Sequence, residues 1–179
     1  MHKLENPARL AELSPPETLA RLGLKDKMTF ADIGAGTGIF TTAAAEITHA
    51  PIYAIDPSAN MREILSSKKS AVALDQVEIL SDVSALPEKS VDLALLCTVL
   101  HEIDNQEAFL QTIAERLKPE GRLAIIEFHK SDSPFGPPLS IRLSTDDTTL
   151  LASAARLVER ERFTLGENFY CVCFGLKYI

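Results

Sequence analysis

The feature that most constrains the fold is an alternation of strand-like and helix-like segments between residues 28 and 128. Short apolar runs predict five strands, and segments with apolar residues three and four positions apart predict the helices between them. The predicted strands cover residues 28–33, 52–55, 77–80, 91–97 and 122–128. Because short strand–helix–strand connections place successive strands side by side, we expect an α/β fold with a doubly wound, mostly parallel sheet.

Helical spacing and capping residues place helices before, between and after these strands. Two short helices are predicted at 7–13 and 16–22, and longer ones at 39–48 and 145–159. A further helix is predicted around Met61, and another begins at the cap Asp104 and ends at the segment 118–121. In the helix capped by Asp104, Glu107 can reach back to the cap.

The C-terminal segment follows a different pattern. Two strand-like stretches, 160–165 and 168–177, are joined by Gly166 and Glu167 alone. A connection this short joins only antiparallel strands. We therefore predict that the mostly parallel sheet ends in an antiparallel C-terminal hairpin, which brings the expected number of strands to seven.

The length of 179 residues predicts a single domain over residues 1–179, in which residues 1–27 form a short N-terminal helical cap. The longest apolar run, from Leu93 to Leu100, is far shorter than the ~20 residues that cross a bilayer, so we expect no membrane span. The N-terminal segment lacks the apolar core of a secretion signal, which predicts a cytoplasmic protein. The sequence predicts no particular oligomeric state.

Charge and cysteine usage argue against two classes of function. The formal net charge is −7 and no cluster of Lys or Arg relieves it, whereas nucleic-acid binders usually present a basic face, so we expect no nucleic-acid partner. The three cysteines, Cys97, Cys171 and Cys173, form neither a redox pair nor a zinc pattern. We therefore expect buried structural thiols and no metal site.

A glycine turn follows the first predicted strand, in the segment GAGTG at residues 34–38. Glycines between a strand and a helix allow a tight turn and let a ligand approach the main chain. A dinucleotide fingerprint needs glycines spaced as GxGxxG, but here Ile39 occupies the position of the last glycine. Asp32, two residues before Gly34, would repel a pyrophosphate but can face an amino group or a sulfonium. The pattern therefore favours S-adenosylmethionine (SAM) over NAD.

Two further acids follow the next two strands. Asp56 comes directly after the second strand, where a carboxylate can accept hydrogen bonds from a ribose diol. Asp82 follows the third strand, where it can accept from an exocyclic amine of adenine. Each acid alone could be a solvated side chain or a helix cap. Three acids at successive strand ends indicate a ligand site, because a doubly wound sheet binds ligands at this edge.

The motifs, taken in order, resemble those of class I SAM-dependent methyltransferases, in the branch that includes the ubiquinone/menaquinone-biosynthesis methyltransferases. The segments that carry the resemblance are FADIGAGTG at 30–38, DPS at 56–58, SDV at 81–83, VDLALL at 91–96 and LKPEGRL at 117–123. The resemblance implies the Rossmann-like methyltransferase fold with its last strand reversed. It also implies SAM as cofactor and methyl transfer to a small molecule as the activity.

The same resemblance assigns expected roles to individual residues. It implies that Asp32, Gly34 and Gly36, with the neighbouring Ala35, contact the methionine part of SAM. It implies that Asp56, followed by Pro57, holds the ribose, and that Asp82 and the amide of Val83 hold the adenine. Met61 would pack on the adenine or belong to the core, and Cys97 or Thr98 would line the side of the methyl group.

Methyl transfer needs a positioned nucleophile and the exclusion of water, and a base only where the acceptor must lose a proton. His101, just past the fourth strand, is the candidate base; Glu102, Glu127 and His129 are weaker candidates. Residues at such positions are more often structural or rim residues than bases.

The acceptor side of the site has fewer signals. The loop 131–138 could cover the acceptor, with Arg142 meeting an acidic group, or could be an ordinary crossover. Two rival functions stay open: a non-catalytic SAM-binding partner subunit and an NAD(P)-dependent oxidoreductase.

Overall fold

The computed structural model describes residues 5–177, in which six α-helices surround one seven-stranded sheet. The helices are Pro7–Leu13 (α1), Pro15–Arg21 (α2), Ile39–Ala45 (α3), Ala59–Ala71 (α4), Gln106–Arg116 (α5) and Thr145–Ala154 (α6). The strands are Phe30–Ile33 (β1), Ile52–Ile55 (β2), Val77–Leu80 (β3), Val91–Cys97 (β4), Leu117–Phe128 (β5), Leu157–Leu165 (β6) and Phe169–Leu176 (β7).

The strand order across the sheet is β3-β2-β1-β4-β5-β7-β6. The pairs from β3 to β5 are parallel, whereas β7 runs antiparallel to both β5 and β6. The predicted doubly wound, mostly parallel sheet with an antiparallel C-terminal hairpin is therefore confirmed. The chain order reverses between β1 and β4, and a sheet of this kind opens a crevice beyond the carboxyl ends of those strands.

Residues of the central strands are buried on both faces of the sheet and alternate between two apolar clusters. Phe30, Leu93 and Leu95 belong to the cluster that also contains side chains of α1 to α4. Ala94 and Leu96 face the opposite cluster, with side chains of α5 and α6. This two-sided burial explains why the sequence of β4 is a continuous apolar run rather than an alternating one.

The predicted cap of α5 and the predicted start of β5 were wrong. The helix is capped by Asn105, whose side-chain oxygen accepts from the N–H of Ala108 at 3.2 Å, rather than by Asp104. The helix ends at Arg116, before the predicted stop at 118–121, but that segment lies inside β5, which begins at Leu117 rather than at the predicted Arg122. Leu117 pairs with Val91 at the start of β4, so pairing along the sheet sets this boundary.

Two other helices end earlier than their spacing predicted. The helix predicted over 39–48 ends at Ala45, and the helix predicted over 145–159 ends at Ala154. After α6 the chain turns at Arg156, where φ is +60°, and residues from Leu157 pair with β7. Strand pairing thus overrides the helical preference of this segment. Among residues 5–177, no helix is both long enough and apolar enough to cross a membrane.

The helix α1 is attached to the far end of the chain through Glu12. Its carboxylate accepts from the backbone N–H groups of Glu167 and Asn168, at 3.0 and 2.8 Å, and from the side-chain amide of Asn168 at 2.6 Å. The next residue, Leu13, is fully buried against the sheet. These contacts fix α1 to the turn between β6 and β7.

Candidate functional site

A cavity of about 610 Å³ opens beyond the carboxyl ends of the central strands, where the strand order reverses. Its volume lies within the range of ~300–1,000 Å³ that is typical of small-molecule sites. Its lining includes every residue for which the sequence predicted a cofactor contact: Asp32, Gly34, Ala35, Gly36, Asp56, Pro57, Met61, Asp82, Val83, Cys97 and Thr98. The fold thus brings these residues together, and their individual contacts with a ligand stay predictions.

The glycine turn adopts a left-handed backbone conformation, which glycine adopts without a steric penalty. The φ angles of Gly34, Gly36 and Gly38 are +74°, +55° and +81°, in the left-handed region. A Cβ atom at Gly34 would also overlap the Cγ2 atom of Val99, which follows β4. The N–H of Gly34 donates to the carbonyl of Ile55 at 2.8 Å, so the turn is held against the end of β2.

The carboxylate of Asp56 braces this turn. One of its oxygens accepts from the N–H of Gly36 at 2.9 Å, and the other accepts from the N–H of Ser58, also at 2.9 Å. A carboxylate has about four lone-pair positions, so each oxygen can accept one more hydrogen bond from a ligand. Asp56 therefore has a structural role as well as the predicted role toward the cavity.

Asp32 is the most deeply buried acid of the cavity lining, with 2% of its surface exposed. Burial raises the pKa of its carboxyl to about 6, and the nearby Asp56 raises it further, while a hydrogen bond from the hydroxyl of Thr41 at 2.6 Å opposes the shift. Removal from water destabilises the charged form of a carboxyl. A cationic group bound beside Asp32 would restore the charged form.

Asp82 is exposed at the rim of the cavity. Its carboxylate accepts from the N–H of Ser84 at 2.7 Å, and this hydrogen bond lowers the pKa of Asp82. Val83 beside it is buried, and Met61, in the first turn of α4, is partly buried on the same cavity. An acid next to an apolar side chain is a suitable surface for a nucleobase.

Cys97 and Thr98 form the end of β4. Burial raises the pKa of the Cys97 thiol to about 12, so the thiol is neutral at physiological pH and is not poised as a nucleophile. Thr98 has a φ of +58°, which is uncommon outside glycine, and its hydroxyl accepts from Nη2 of Arg9 at 2.9 Å. Strained residues of this kind concentrate at functional sites.

Sequence reasoning assigned no site role to several polar residues of the lining, among them Arg9 and Thr37. Thr37 lies inside the GAGTG turn, so its position could have been included with the glycines. Its hydroxyl is buried and has no hydrogen-bond partner among the described residues. Such an unsatisfied buried group fits a site that a polar ligand completes. Arg9 had no local signal, because 89 positions separate it from Thr98.

His101 does not line the cavity. Only 3% of its side chain is exposed, and its Nδ1 atom lies 2.7 Å from a carboxylate oxygen of Glu127. Its Nε2 atom lies 3.8 Å from the carboxylate of Glu102, and Glu102 does line the cavity. Arg142, expected to be able to meet an acceptor, instead donates to carbonyl oxygens of the loop 129–137.

Comparison with known proteins agrees with this geometry. A family model described as a methyltransferase domain matches residues 31–125. The demethylmenaquinone methyltransferase of Tropheryma whipplei is 34% identical over 97 residues, which cover 54% of this chain and 40% of that protein. The ubiquinone/menaquinone biosynthesis C-methyltransferase of Pseudoalteromonas translucida is 25% identical over 122 residues, which cover 65% of this chain and 49% of that protein. The chain therefore matches less than half the length of these two curated relatives.

The whole fold is similar to a solved structure as well. The crystal structure of a SAM-dependent methyltransferase from Aquifex aeolicus aligns with a TM-score of 0.89 at 27% identity, over 96% of this chain and 94% of that one. The resemblance inferred from the motifs is thereby confirmed, since the matched family model spans the glycine turn and all three strand-end acids. The chain belongs to the methyltransferase domain family.

Proposed function

We propose that this domain transfers the methyl group of SAM to a small-molecule acceptor. The observation that carries the proposal is that the glycine turn and the three strand-end carboxylates, Asp32, Asp56 and Asp82, line one cavity. The acidic net charge of −7 supports a small molecule rather than a nucleic acid as the acceptor.

The residues of the lining suit the parts of SAM. The free lone pairs of Asp56 can accept from the ribose hydroxyls, and Asp82 with the amide of Val83 can pair with the adenine edge, against which Met61 can pack. Burial raises the pKa of Asp32, and a cationic group bound beside it would restore its negative charge. Asp32 is therefore suited to the sulfonium or the amino group of SAM. The unpartnered hydroxyl of Thr37 can donate to or accept from the amino-acid part.

When bound, SAM supplies a methyl group that its sulfonium has already activated toward displacement. The protein then has to hold the acceptor about 3–3.5 Å from that carbon and to exclude water. Apolar side chains of the lining, among them Val99, Ile103 and Phe109, are suited to exclude water. A base is required only for acceptors that lose a proton.

The proposed base is His101. His101 itself does not line the cavity, but its Nε2 atom lies 3.8 Å from the carboxylate of Glu102, which does. Because its Nδ1 atom is held by Glu127, only the Nε2 atom is available for proton transfer.

The names of the curated relatives suggest the first acceptors to test. One is a demethylmenaquinone methyltransferase and the other a C-methyltransferase of ubiquinone/menaquinone biosynthesis. We infer that a quinol or phenol ring is the acceptor class to test first. The apolar side chains on the cavity wall support a planar apolar ring.

Binding is tested by thermal shift with SAM, S-adenosylhomocysteine, NAD and NADP. A ligand at ~100 times its dissociation constant should add about 2.7 kcal/mol to the free energy of unfolding. We expect both SAM-type ligands to raise the melting temperature and the nicotinamide cofactors to leave it unchanged. A shift with NAD and none with SAM would overturn the proposal.

Turnover is tested by incubating the protein with SAM and demethylated quinols or phenols, and measuring S-adenosylhomocysteine and methylated product by mass spectrometry. The Asp56→Ala variant serves as the control with a damaged cavity, and Asp75→Ala, outside the cavity, as the surface control. SAM binding without turnover on any acceptor would favour the alternative hypothesis that the protein is a non-catalytic SAM-binding partner subunit.

A further inference from the structure

The imidazole of His101 has a carboxylate near each of its ring nitrogens, and only one of the two carboxylates reaches the cavity. The Nδ1 atom lies 2.7 Å from Oε2 of Glu127, and the Nε2 atom lies 3.8 Å from Oε1 of Glu102. The side chain of Glu127 is 1% exposed, whereas that of Glu102 is 72% exposed and belongs to the cavity lining. The three groups therefore form a row that leads from the cavity into the interior of the protein.

The main chain holds this row in place. Residues Leu100–Glu102 form one turn of 3₁₀-helix after β4, in which the N–H of Glu102 donates to the carbonyl of Val99 at 2.9 Å. The N–H of His101 donates to Oε1 of Glu127 at 3.3 Å, so the turn is attached to the end of β5. The backbone of Glu102 is thus fixed, while its exposed side chain is free to rotate between the cavity and the imidazole.

The burial of His101 argues against direct contact between its imidazole and an acceptor. A base has to come within about 2.6–3.2 Å of the atom whose proton it takes, or reach it through one intermediary. Only 3% of the His101 side chain is exposed, and the residue does not line the cavity. Glu102 does line the cavity and is next to Nε2. Their separation of 3.8 Å exceeds a hydrogen bond, but rotation of the Glu102 side chain can close it, and catalytic hydrogen bonds often tighten when the substrate binds.

The other acids and the thiol of the lining are less suited to take this proton. Asp32, Asp56 and Asp82 lie at the ends of β1, β2 and β3, where they are proposed to bind the cofactor. Burial raises the pKa of the Cys97 thiol to about 12, so the thiol is not a ready acceptor of protons. Glu102 instead follows β4, at whose end the methyl group is expected.

We propose that Glu102 is the catalytic residue that takes the proton of the acceptor and passes it to Nε2 of His101, with Glu127 as the positioning residue of that imidazole. This inference rests on the proposed function and concerns acceptors that lose a proton. As the oxygen or carbon of the acceptor bonds to the methyl group, its O–H or C–H bond breaks and the proton moves to Glu102. The electron pair of the broken S–CH₃ bond stays on the sulfur. Nε2 of His101 then holds the proton until it leaves to solvent through the exposed carboxylate of Glu102.

The surroundings of His101 are suited to a proton that is held briefly. Burial and the charge of Arg142 lower the pKa of the imidazole, but Glu127 and Glu102 raise it more, so the pKa lies above its ordinary value. An imidazole of this kind takes up and releases a proton near neutral pH. Because Glu127 occupies Nδ1, the exchange is restricted to Nε2, on the side of Glu102.

The first test is a double-mutant cycle on turnover, with 1,4-naphthoquinol and catechol as the acceptors. The variants are Glu102→Gln, His101→Ala and the double variant. Each single substitution should lower turnover ~100-fold or more, and the double variant should be about as slow as the slower single variant, because the two groups act in series. Glu107→Gln, exposed on α5 and outside the lining, is the matched control and should keep wild-type turnover. The affinity for S-adenosylhomocysteine, measured by calorimetry, should stay within a few-fold throughout.

Two results of this cycle would overturn the proposal. Losses that multiply in the double variant would show that Glu102 and His101 act independently. Turnover close to the wild-type rate in folded Glu102→Gln would remove this residue from the proton path. If His101→Ala does not fold, His101→Asn, which keeps an N–H donor for Glu127 but cannot take the proton, completes the cycle.

The second test needs no acceptor and follows the imidazole of His101 by NMR across pH. Glu102→Gln removes a charge that raises the pKa of His101, so the titration should move to lower pH, whereas Glu107→Gln should leave it unchanged. An unchanged titration in Glu102→Gln would show that the two side chains do not interact and would overturn the proposal. Wild-type protein that methylates no acceptor, with the shift in titration present, would contradict the proposed function itself, which is a separate result.

Discussion

The imidazole of His101 and the carboxylate of Glu127 form a buried pair behind the cavity wall. The Nδ1 atom of His101 lies 2.7 Å from Oε2 of Glu127, and the backbone N–H of His101 donates to Oε1 at 3.3 Å. The exposed fractions of the two side chains are 3% and 1%. This pair joins the segment after β4 to the end of β5, so it supports the region where the methyl group is expected.

The pair predicts a pH-dependent stability. Burial lowers the pKa of His101, and the charge of Arg142 lowers it further. The hydrogen bond and charge of Glu127, together with the charge of Glu102, outweigh these two effects. The pKa of His101 is therefore raised above 6.5. The contribution to stability is therefore fully present below about pH 6.5 and is lost as the pH rises through the folded pKa. We expect Glu127→Gln to lower the free energy of unfolding more at about pH 5.5 than at about pH 8.5, as measured by urea denaturation. Asp26→Asn, which alters the exposed pair with His49, should change little at either pH.

The proposed base role of His101 makes a kinetic prediction. Once an acceptor is found, His101→Ala should lower turnover ~100-fold or more while SAM affinity stays within a few-fold, because a base contributes only in the transition state. Glu127→Gln removes the charged hydrogen-bond partner that raises the pKa of His101 most, so the acidic limb of the pH–rate profile should move to lower pH.

The exposed His49 provides the matched control for these kinetics, and His49→Ala should keep wild-type turnover. A folded His101→Ala variant with near wild-type turnover would exclude His101 as the base. A parallel loss of stability, SAM affinity and turnover would show that the residue acts through packing.

Substitution of Asp32 should have opposite effects on protein stability and on SAM binding. Its pKa is raised to about 6 by burial, so its contribution to stability is present below its ordinary pKa of 3.8 and is lost as the pH rises through about 6. Asp32→Asn should therefore raise the melting temperature of the ligand-free protein at neutral pH and weaken SAM binding about tenfold or more. In the wild type, SAM affinity should fall up to about tenfold per pH unit below about 6, and the variant should lack this dependence. Thermal shift and calorimetry across pH measure both effects, and a destabilised Asp32→Asn would contradict the first.

Asp56 predicts a combined loss of binding and local stability. Asp56→Ala removes the predicted acceptor of the ribose hydroxyls and should weaken SAM about 10- to 100-fold. It also leaves the N–H of Gly36 without its acceptor, at a cost of about 1–3 kcal/mol in stability. Asp56→Asn keeps an oxygen and should lose less stability. Unchanged SAM affinity in folded Asp56→Ala would limit the residue to bracing the turn.

Gly34→Ala should cause a steric overlap that a second substitution, Val99→Ala, relieves in part. In Gly34→Ala, the added Cβ would overlap Val99 and would also adopt a φ of +74°, so we expect a lower melting temperature and no thermal shift with SAM. Adding Val99→Ala removes the overlap but leaves the backbone strain, so the double variant should recover part of the stability. Gly175→Ala, where the nearest atoms to the added Cβ belong to the flexible side chain of Arg160, is the control. A double variant no more stable than Gly34→Ala would assign the whole effect to the backbone.

The sequence was sufficient for the features that depend on neighbouring residues. The apolar run of β4 predicted a strand buried on both faces, and the GAGTG turn with Asp32 predicted a ligand site at its end, because hydrophobic spacing and glycine conformation are local properties. The acids at successive strand ends meet in one cavity because parallel strands direct their carboxyl ends to one edge of the sheet.

The sequence was not sufficient where a boundary depended on a distant strand. The start of β5 at Leu117 and the end of α6 at Ala154 were mispredicted, because pairing with Val91 and with β7 decides them. Local helical spacing contains no information about which strand lies alongside.

Tertiary structure also decided which charged groups surround the site. Arg9 reaches Thr98 across 89 positions because Glu12 holds α1 against residues 167 and 168, and His101 meets Glu127 because β4 and β5 lie side by side. The sequence by itself determined the parallel sheet, the glycine turn and the cavity acids, whose positions follow from repeated local patterns. Only the folded chain determined the place of Arg9 in the cavity lining and the buried His101–Glu127 pair, because the free energy of such contacts depends on burial and distance, which no local pattern specifies.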